Sequence, residues 1–296
     1  MKILLTGGTG FIGQALIKLL SPSHEIVVLT RNVNNARRVI PSVACIETLD
    51  NLDNLDGFQA VINLAGEPIV GKRWSDAQKH RLCHSRWDLT AKLAGLIKAS
   101  QTPPQVFISA SAIGFYGIHD TTPLTETAKP NPDFAHDLCA KWENLALQAD
   151  GEQTRVCIAR IGIVLGANGG ALAKMLPAFK LGLGGPIGHG EQGMSWIHLD
   201  DLLGLIRFML ETESARGVYN ATAPVPVSNK TFTQTLGKVL HRPAFLPAPA
   251  FALKCILGES AMLLTEGQYV VPSKATIEGF EFEFSQLEPA LEDILA

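Results

Sequence analysis

Near the start of the chain, TGGTGFIG (Thr6–Gly13) closes a short apolar run, Lys2–Thr6, and opens a segment with helical apolar spacing, Phe11–Leu20. Few arrangements let a strand end in such a loop and continue as a helix. Gly7, Gly10 and Gly13 recur at every third position, with Gly8 extra. Glycine permits the tight turn, lets the backbone approach a bound pyrophosphate, and lets the helix pack close to the strand. The helix start then presents unpaired N–H groups and a partial positive charge to phosphate. The pattern predicts a dinucleotide held by Thr6, Gly7, Gly8, Gly10, Phe11 and Ile12.

The segments that follow repeat this alternation. Glu25–Leu29, Val43–Ile46, Ala60–Asn63, Gln105–Ser109, Arg155–Arg160 and Gly217–Thr222 read as strands. Ser75–Ala99 and a stretch from about Pro132 to Ala149 read as helices. Apolar, β-branched strands separated by helices predict parallel βαβ units with right-handed crossovers. The expected fold class is α/β, a Rossmann-type doubly wound parallel sheet with a small mixed C-terminal region on the substrate side. The expected division is 1–165, with 197–222 returning to it, against 166–196 and 223–296. Glycine-rich loops and one short helix near Ala171–Phe179 open the second part, and a proline-rich tail closes it.

The chain's 296 residues are 46% hydrophobic and 18% charged, enough for a substantial core. The net charge of −3 comes with no basic run, which argues against a nucleic-acid partner. No apolar stretch approaches the ~20 residues that span a bilayer. The lysine and apolar residues at the N-terminus break into glycines too soon for a signal peptide. Five cysteines without C-x-x-C spacing suggest free thiols in a reducing cytoplasm. No metal site is expected; His198 beside Asp200 and Asp201 suits packing and capping.

The second strand ends VVLTRN. An acidic residue here meets the adenosine 2′-hydroxyl of NAD, and an arginine nearby meets the 2′-phosphate of NADP. Arg31 stands there with Asn32 beside it, Arg37 and Arg38 follow, and no Asp or Glu closes the strand. A forked guanidinium–phosphate contact therefore predicts NADP in preference to NAD.

TGGTGFIG, NLAGE (Asn63–Glu67), SASAIGFYG (Ser109–Gly117), RIGIVLG (Arg160–Gly166) and WIHLDDL (Trp196–Leu202) together resemble the extended short-chain dehydrogenase/reductases, relatives of the nucleotide-sugar epimerases. NLAGEPIVGKRW, RLCHSRW and LGLGGPIGHGEQGMSWIHLDD look like an atypical branch of them, the epimerase family proteins. The likeness runs through nearly the whole chain. It implies that Leu64, Ala65, Gly66 and Glu67 also border the cofactor, and that Ser111, with Ser109 as neighbour, stands near the reacting carbon. It also implies pairing of two copies through the long helices.

In the wider superfamily, a tyrosine transfers the proton while a lysine four residues on holds the nicotinamide ribose. Aligned on Glu143, the lysine position holds Cys139 and the tyrosine position Ala135. Tyr116, Tyr219 and Tyr269 are followed four residues later by Asp120, Ala223 and Ser273, so no Y-x-x-x-K exists in the chain. The resemblance agrees, because the atypical branch lacks that pair. Glu67, just beyond the fourth strand, is a candidate base or hydroxyl ligand; Lys72 and Arg73 follow in its loop. His136 and Cys139 are weaker substitutes, better read as a cap and a core thiol, and Tyr116 as a packing residue. Gly182–Trp196 is expected to form a flexible floor or lid over the substrate pocket, with Asn168, His189 and Gln192 as polar contacts. The expected function is an NADP-dependent oxidoreductase or epimerase of non-standard mechanism. The alternative is an NADP(H)-binding sensor that catalyses nothing.

Overall fold

The structure, a computed structural model, describes residues 1–296. Seven strands form its main sheet: β1 (Lys2–Thr6), β2 (Glu25–Leu29), β3 (Ala44–Ile46), β4 (Ala60–Asn63), β5 (Val106–Ala112), β6 (Arg155–Ile161) and β7 (Gly217–Ala221). Their order is β7-β6-β5-β4-β1-β2-β3, and every neighbouring pair is parallel. The chain builds outward from β1 through β2 to β3, then crosses to β4 and builds the other way. At that reversal the connections leave the sheet in opposite directions and open a crevice beyond the carboxyl ends of β1 and β4.

Side-chain alternation along each strand explains why both faces need helices. Ile3 and Leu5 point to one face, where α1 (Phe11–Leu20) contributes Leu16, Ile17 and Leu20. Leu4 points to the other, packing with Val61, Phe107 and the Leu93, Ala94 and Ile97 row of α3 (Asp76–Lys98). Both faces are dry, so truncating a fully buried Phe107 to alanine would cost about 3–5 kcal/mol. Between β2 and β3 runs α2 (Val33–Val39); α4 (Phe134–Leu147) packs beside α3. No helix is long and apolar enough to cross a membrane.

A second core gathers the remaining segments. Leu172, Leu176 and Phe179 of α5 (Gly170–Lys180) meet Phe232 and Leu236 of the later helix Asn229–Val239. Leu287 and Leu291 of the terminal helix complete it, with Trp196 fully buried among them. Between the two cores, α6 (Leu199–Glu211) follows its strand back onto the β1 face of the sheet.

One expectation is corrected and another narrowed. β5 runs on to Ala112, three residues past Ser109, because β6 stays in register beside it through Ala112↔Ile161. The alternating small residues of SASA resemble a loop in sequence yet fit a crowded strand. Of the two forms expected for Gly182–Trp196, its hydrogen bonds suit a floor fastened to the body of the protein rather than a free lid. The Gln192 amide donates to the carbonyls of Ile187 and Leu264, Tyr269 Oη donates to the Glu191 carbonyl, and Asn229 Oδ1 accepts from the Ile187 N–H.

Candidate functional site

The glycine loop sits over the crevice. Gly7 has φ +73°, and a Cβ there would lie 2.8 Å from the Leu64 carbonyl, so only glycine lets β1 and β4 end this close together. A Cβ at Gly13 would lie 2.3 Å from the Gly7 oxygen, and one at Gly8 would lie 2.8 Å from a Val28 methyl. Those two glycines set helix against strand. α1 begins at Gly10 with no side-chain cap and no acidic residue in its first turn. By contrast α3 and α4 are capped by Ser75 and Asp133, which accept from the Gln78 and His136 N–H groups. The start of α1 is therefore left with unpaired donors and its dipole for an anion.

A cavity of about 690 Å³ lies in front of this loop. Thr6, Gly7 and Gly10 form its floor, Arg31 and Asn32 one end, and Leu64 to Glu67 a wall. Gly8 stands outside it as a packing residue. Phe11 and Ile12 also lie outside; their backbone N–H groups belong to the uncapped turn. The Phe11 ring turns away to cover Gly166 and Gly169, where a Cβ would lie 2.7 and 2.4 Å from it. Thr6 is fully buried and donates to Asn63 Oδ1 at 2.7 Å, while the Asn63 amide donates to Thr90. Thr6 thus locks the two strand ends that frame the crevice. Asn32 caps α2 by accepting from the Asn35 N–H, leaving Arg31 exposed at the mouth. Glu47 and Asp50, just past β3, also line the cavity; no pattern in the sequence marks them.

In the last residues of β5 and β6, where Ser111 pairs with Arg160, lies a buried polar network. Arg160 pairs with Glu143 through two parallel bonds, Nε to Oε1 and Nη2 to Oε2, each 2.8 Å. Its Nη1 donates to Tyr116 Oη at 3.0 Å, and that hydroxyl donates to Asn220 Oδ1 at 2.7 Å. Ser111 is only 3% exposed and donates its proton to Glu143 Oε1 at 2.6 Å. With that proton committed, Ser111 is arranged to accept a hydrogen bond rather than to polarise a carbonyl by donating one. Tyr116 is a packing residue, with its phenol pKa raised chiefly by burial.

The places of the missing tyrosine and lysine are filled in. A Cβ on Gly114 would lie 3.2 Å from Ala135 Cβ and 3.9 Å from Cys139 Sγ, so the turn Ile113–Tyr116 rests directly on α4. His136 fastens that turn by donating from Nδ1 to the Phe115 carbonyl at 2.6 Å. Cys139 is buried, and desolvation followed by the charge of Glu143 pushes its thiol up to about 12. Neither residue is placed as an acid, base or nucleophile.

Glu67 lies at the cavity wall with its carboxylate bonded to Lys72 Nζ at 2.6 Å. That bond holds its pKa below the usual carboxylate range, which suits a ligand for hydroxyls better than a base. Its carbonyl accepts from Arg86 Nη2 at 2.9 Å and its N–H donates to Ser85 Oγ at 3.0 Å. The Lys72 and Arg73 loop docks on the C-terminal region: Ser260 Oγ donates to the Lys72 carbonyl, and Arg73 abuts Gly258. His189 accepts from the Glu191 N–H, and Asn168 lies in a separate groove beside α1. His80 and His84, one turn apart on α3, have an H-x-x-x-H spacing. Their rings stack at 4.0 Å, and His84 Nδ1 bonds the exposed Asp88 carboxylate at 3.0 Å one turn further along the helix.

A parallel sheet whose switch point opens onto such a loop is of the doubly wound, dinucleotide-binding class. Within that class the chain belongs to the NAD dependent epimerase/dehydratase family, whose model matches residues 3–222. Residues 248–294 match a domain of unknown function (DUF1731). The chain is 42% identical to the epimerase family protein SDR39U1 homolog, chloroplastic, of Arabidopsis thaliana, covering 100% of this chain and 87% of that one. It is 39% identical to the Mus musculus epimerase family protein SDR39U1, each covered in full. Among solved structures, the human epimerase family protein SDR39U1 (isoform 2) with NADPH superposes with a TM-score of 0.92 at 37% identity, covering 99% of both chains. A nucleoside-diphosphate sugar epimerase from Corynebacterium glutamicum has a TM-score of 0.78 at 29% identity, covering 100% of this chain and 58% of that one.

Proposed function

We propose that the chain binds NADP(H) and acts as an atypical short-chain oxidoreductase or epimerase. The observation that carries this reading is one cavity with an uncapped helix start and glycine loop on its floor and Arg31 at its mouth. The NADPH in the human relative supports the same cofactor here. In this reading the N–H groups of α1 bind the pyrophosphate and Arg31 meets the 2′-phosphate. When bound, the nicotinamide would carry the hydride. Glu67 would hold a hydroxyl at the cavity wall, and Ser111, its proton turned to Glu143, would accept a hydrogen bond from a substrate hydroxyl. Five unpaired thiols suit a reducing, cytoplasmic setting. Pairing of two copies through α3 and α4 belongs to the same proposal.

A second reading is a sensor that binds the cofactor without reacting, and one observation favours it. Ala135, Cys139 and His136 leave no free acid at the usual place, and Ser111 is already bonded. Calorimetric titration of NADPH and NADH into wild type and Arg31→Ala tests the shared part. NADPH is expected to bind at least 10-fold ahead of NADH, with most of that margin lost in the variant. No binding of either nucleotide would remove both readings. Stereospecific loss of deuterium from C4-labelled NADPH to a carbonyl or nucleotide-sugar panel would select the enzyme. Binding without transfer across the panel would select the sensor.

A further inference from the structure

Six large apolar side chains are more than half exposed, and five of them fall on two segments of the C-terminal side: Leu181, Leu183, Phe245, Phe251 and Ile256. Backbone bonds join those segments, the Leu246 N–H donating to the Gly184 carbonyl and the Gly188 N–H to that of Ala248. The helix Ala250–Leu257 follows at once, apolar at every position but Lys254 and with no residue buried. A helix apolar all round is ordinarily buried, and exposed apolar surface gathered in one place marks a binding surface. This helix ends at Gly258, against Arg73, and Ser260 Oγ donates to the Lys72 carbonyl. The patch therefore reaches the loop that follows Glu67.

The apolar surface continues inward. Met262 and Leu263, half-buried, pack against the cluster of Leu138, Cys139 and Trp142 at the carboxyl end of β5, as do Ile69 and Phe115. Polar groups on this side are bonded within the protein. His136 is held by the Phe115 carbonyl, Trp74 Nε1 donates to the Ile69 carbonyl, and the Gln268 amide donates to the Gly117 carbonyl. Lys72 pairs with Glu67 and Lys79 with Glu259. Arg73 and Lys254 are exposed, so water and salt would screen any bond from them to a diphosphate. Ligand sites of mostly apolar lining with few polar groups take apolar molecules and use the polar groups to fix orientation.

We propose that the substrate side binds a hydrophobic secondary alcohol, or the ketone that corresponds to it, rather than a nucleotide sugar. The hydroxyl donates to Ser111, whose own proton is committed to Glu143, and the apolar body runs over Met262 and Leu263 toward Phe251 and Ile256. The inference rests on the NADP(H) reading and names the substrate class for it. Calorimetry of the 2-alkanols from 2-butanol to 2-decanol, with NADP⁺ present, reads the body. The methyl ether of 2-octanol, which cannot donate to Ser111, reads the oxygen. Affinity is expected to rise about two- to fourfold with each added CH₂, and to fall about three- to 10-fold from 2-octanol to its ether. Phe251→Asp with Ile256→Asp should flatten the rise among the longer alcohols and leave 2-butanol unaltered, with melting curves and NADPH affinity as controls. Phe251→Asp alone carries the comparison if the pair does not fold. UDP-glucose binding more tightly than 2-octanol would overturn the proposal, as would an affinity indifferent to chain length or to the ether. So would a wild-type dimer that the double variant turns into a monomer with the alcohol series unchanged, which would make the patch a contact between copies. A wild type that binds no NADPH removes the NADP(H) reading itself, and the alcohol series repeated without nucleotide keeps that result separate.

Discussion

Alanine at Gly13 and alanine at Gly95 should have opposite effects, although both glycines sit inside helices. Alanine is favoured over glycine in a helix interior by about 1 kcal/mol. At Gly95, exposed on α3, an added Cβ meets nothing within 4 Å, so that gain is fully available. At Gly13 the new atom would lie 2.3 Å from the Gly7 oxygen and 2.7 Å from Gly8 Cα. Both are backbone atoms, so no rotamer change relieves the collision and the loop itself must move. A cost near the upper end of the overpacking range, about 3 kcal/mol, outweighs the propensity gain and leaves a net loss of about 2 kcal/mol. Displacing the loop also misaligns the N–H groups of α1, so NADPH should weaken at least 10-fold in Gly13→Ala and stay unchanged in Gly95→Ala. Thermal melts read the first effect at roughly 2 °C per kcal/mol, and calorimetry the second. A Gly13→Ala protein that melts at or above wild type and binds NADPH equally well would refute the packing argument.

Other outcomes follow from the buried groups. Glu143→Ala leaves Arg160, 4% exposed, without its forked partner and Ser111 without its acceptor. It should cost about 3–5 kcal/mol in urea unfolding, and Arg160→Met added to it should recover much of that loss; a single variant within about 1 kcal/mol of wild type would contradict the pairing. Iodoacetamide at about pH 8 should label exposed Cys255 and spare Cys139, whose buried thiol is pushed up to about 12. Peptide mapping that finds Cys139 alkylated in the folded protein would restore it as a reactive thiol. Gly66→Ala puts a methyl against the Arg86 guanidinium and should weaken NADPH severalfold; unaltered affinity would show that Arg86 can shift at no cost.

Local chemistry made much of the molecule legible in advance. Lys2–Thr6, Glu25–Leu29 and Ala60–Asn63 fall where two-residue alternation and β-branched runs put them, because those signals depend only on neighbours in the chain. The glycine loop is equally local: φ at Gly7 and the close approach at Gly13 are demands of one turn. The lack of any Y-x-x-x-K is a matter of enumeration along the sequence. Tertiary structure alone joined Ser111 to Glu143, 32 positions apart, and Tyr116 to Asn220, 104 positions apart. It likewise fastened Gly182–Trp196 through the Gln192 amide, which donates to the Leu264 carbonyl 72 positions away. Arg86 shows the difference most clearly. In RLCHSRW it is one basic residue among several, and only the packing of α3 under Gly66 leaves it half-buried with no carboxylate partner. Backbone preference is a property of short stretches, so the sequence carries it openly; charge pairing is a property of distances across the fold, and those exist only once the chain has closed.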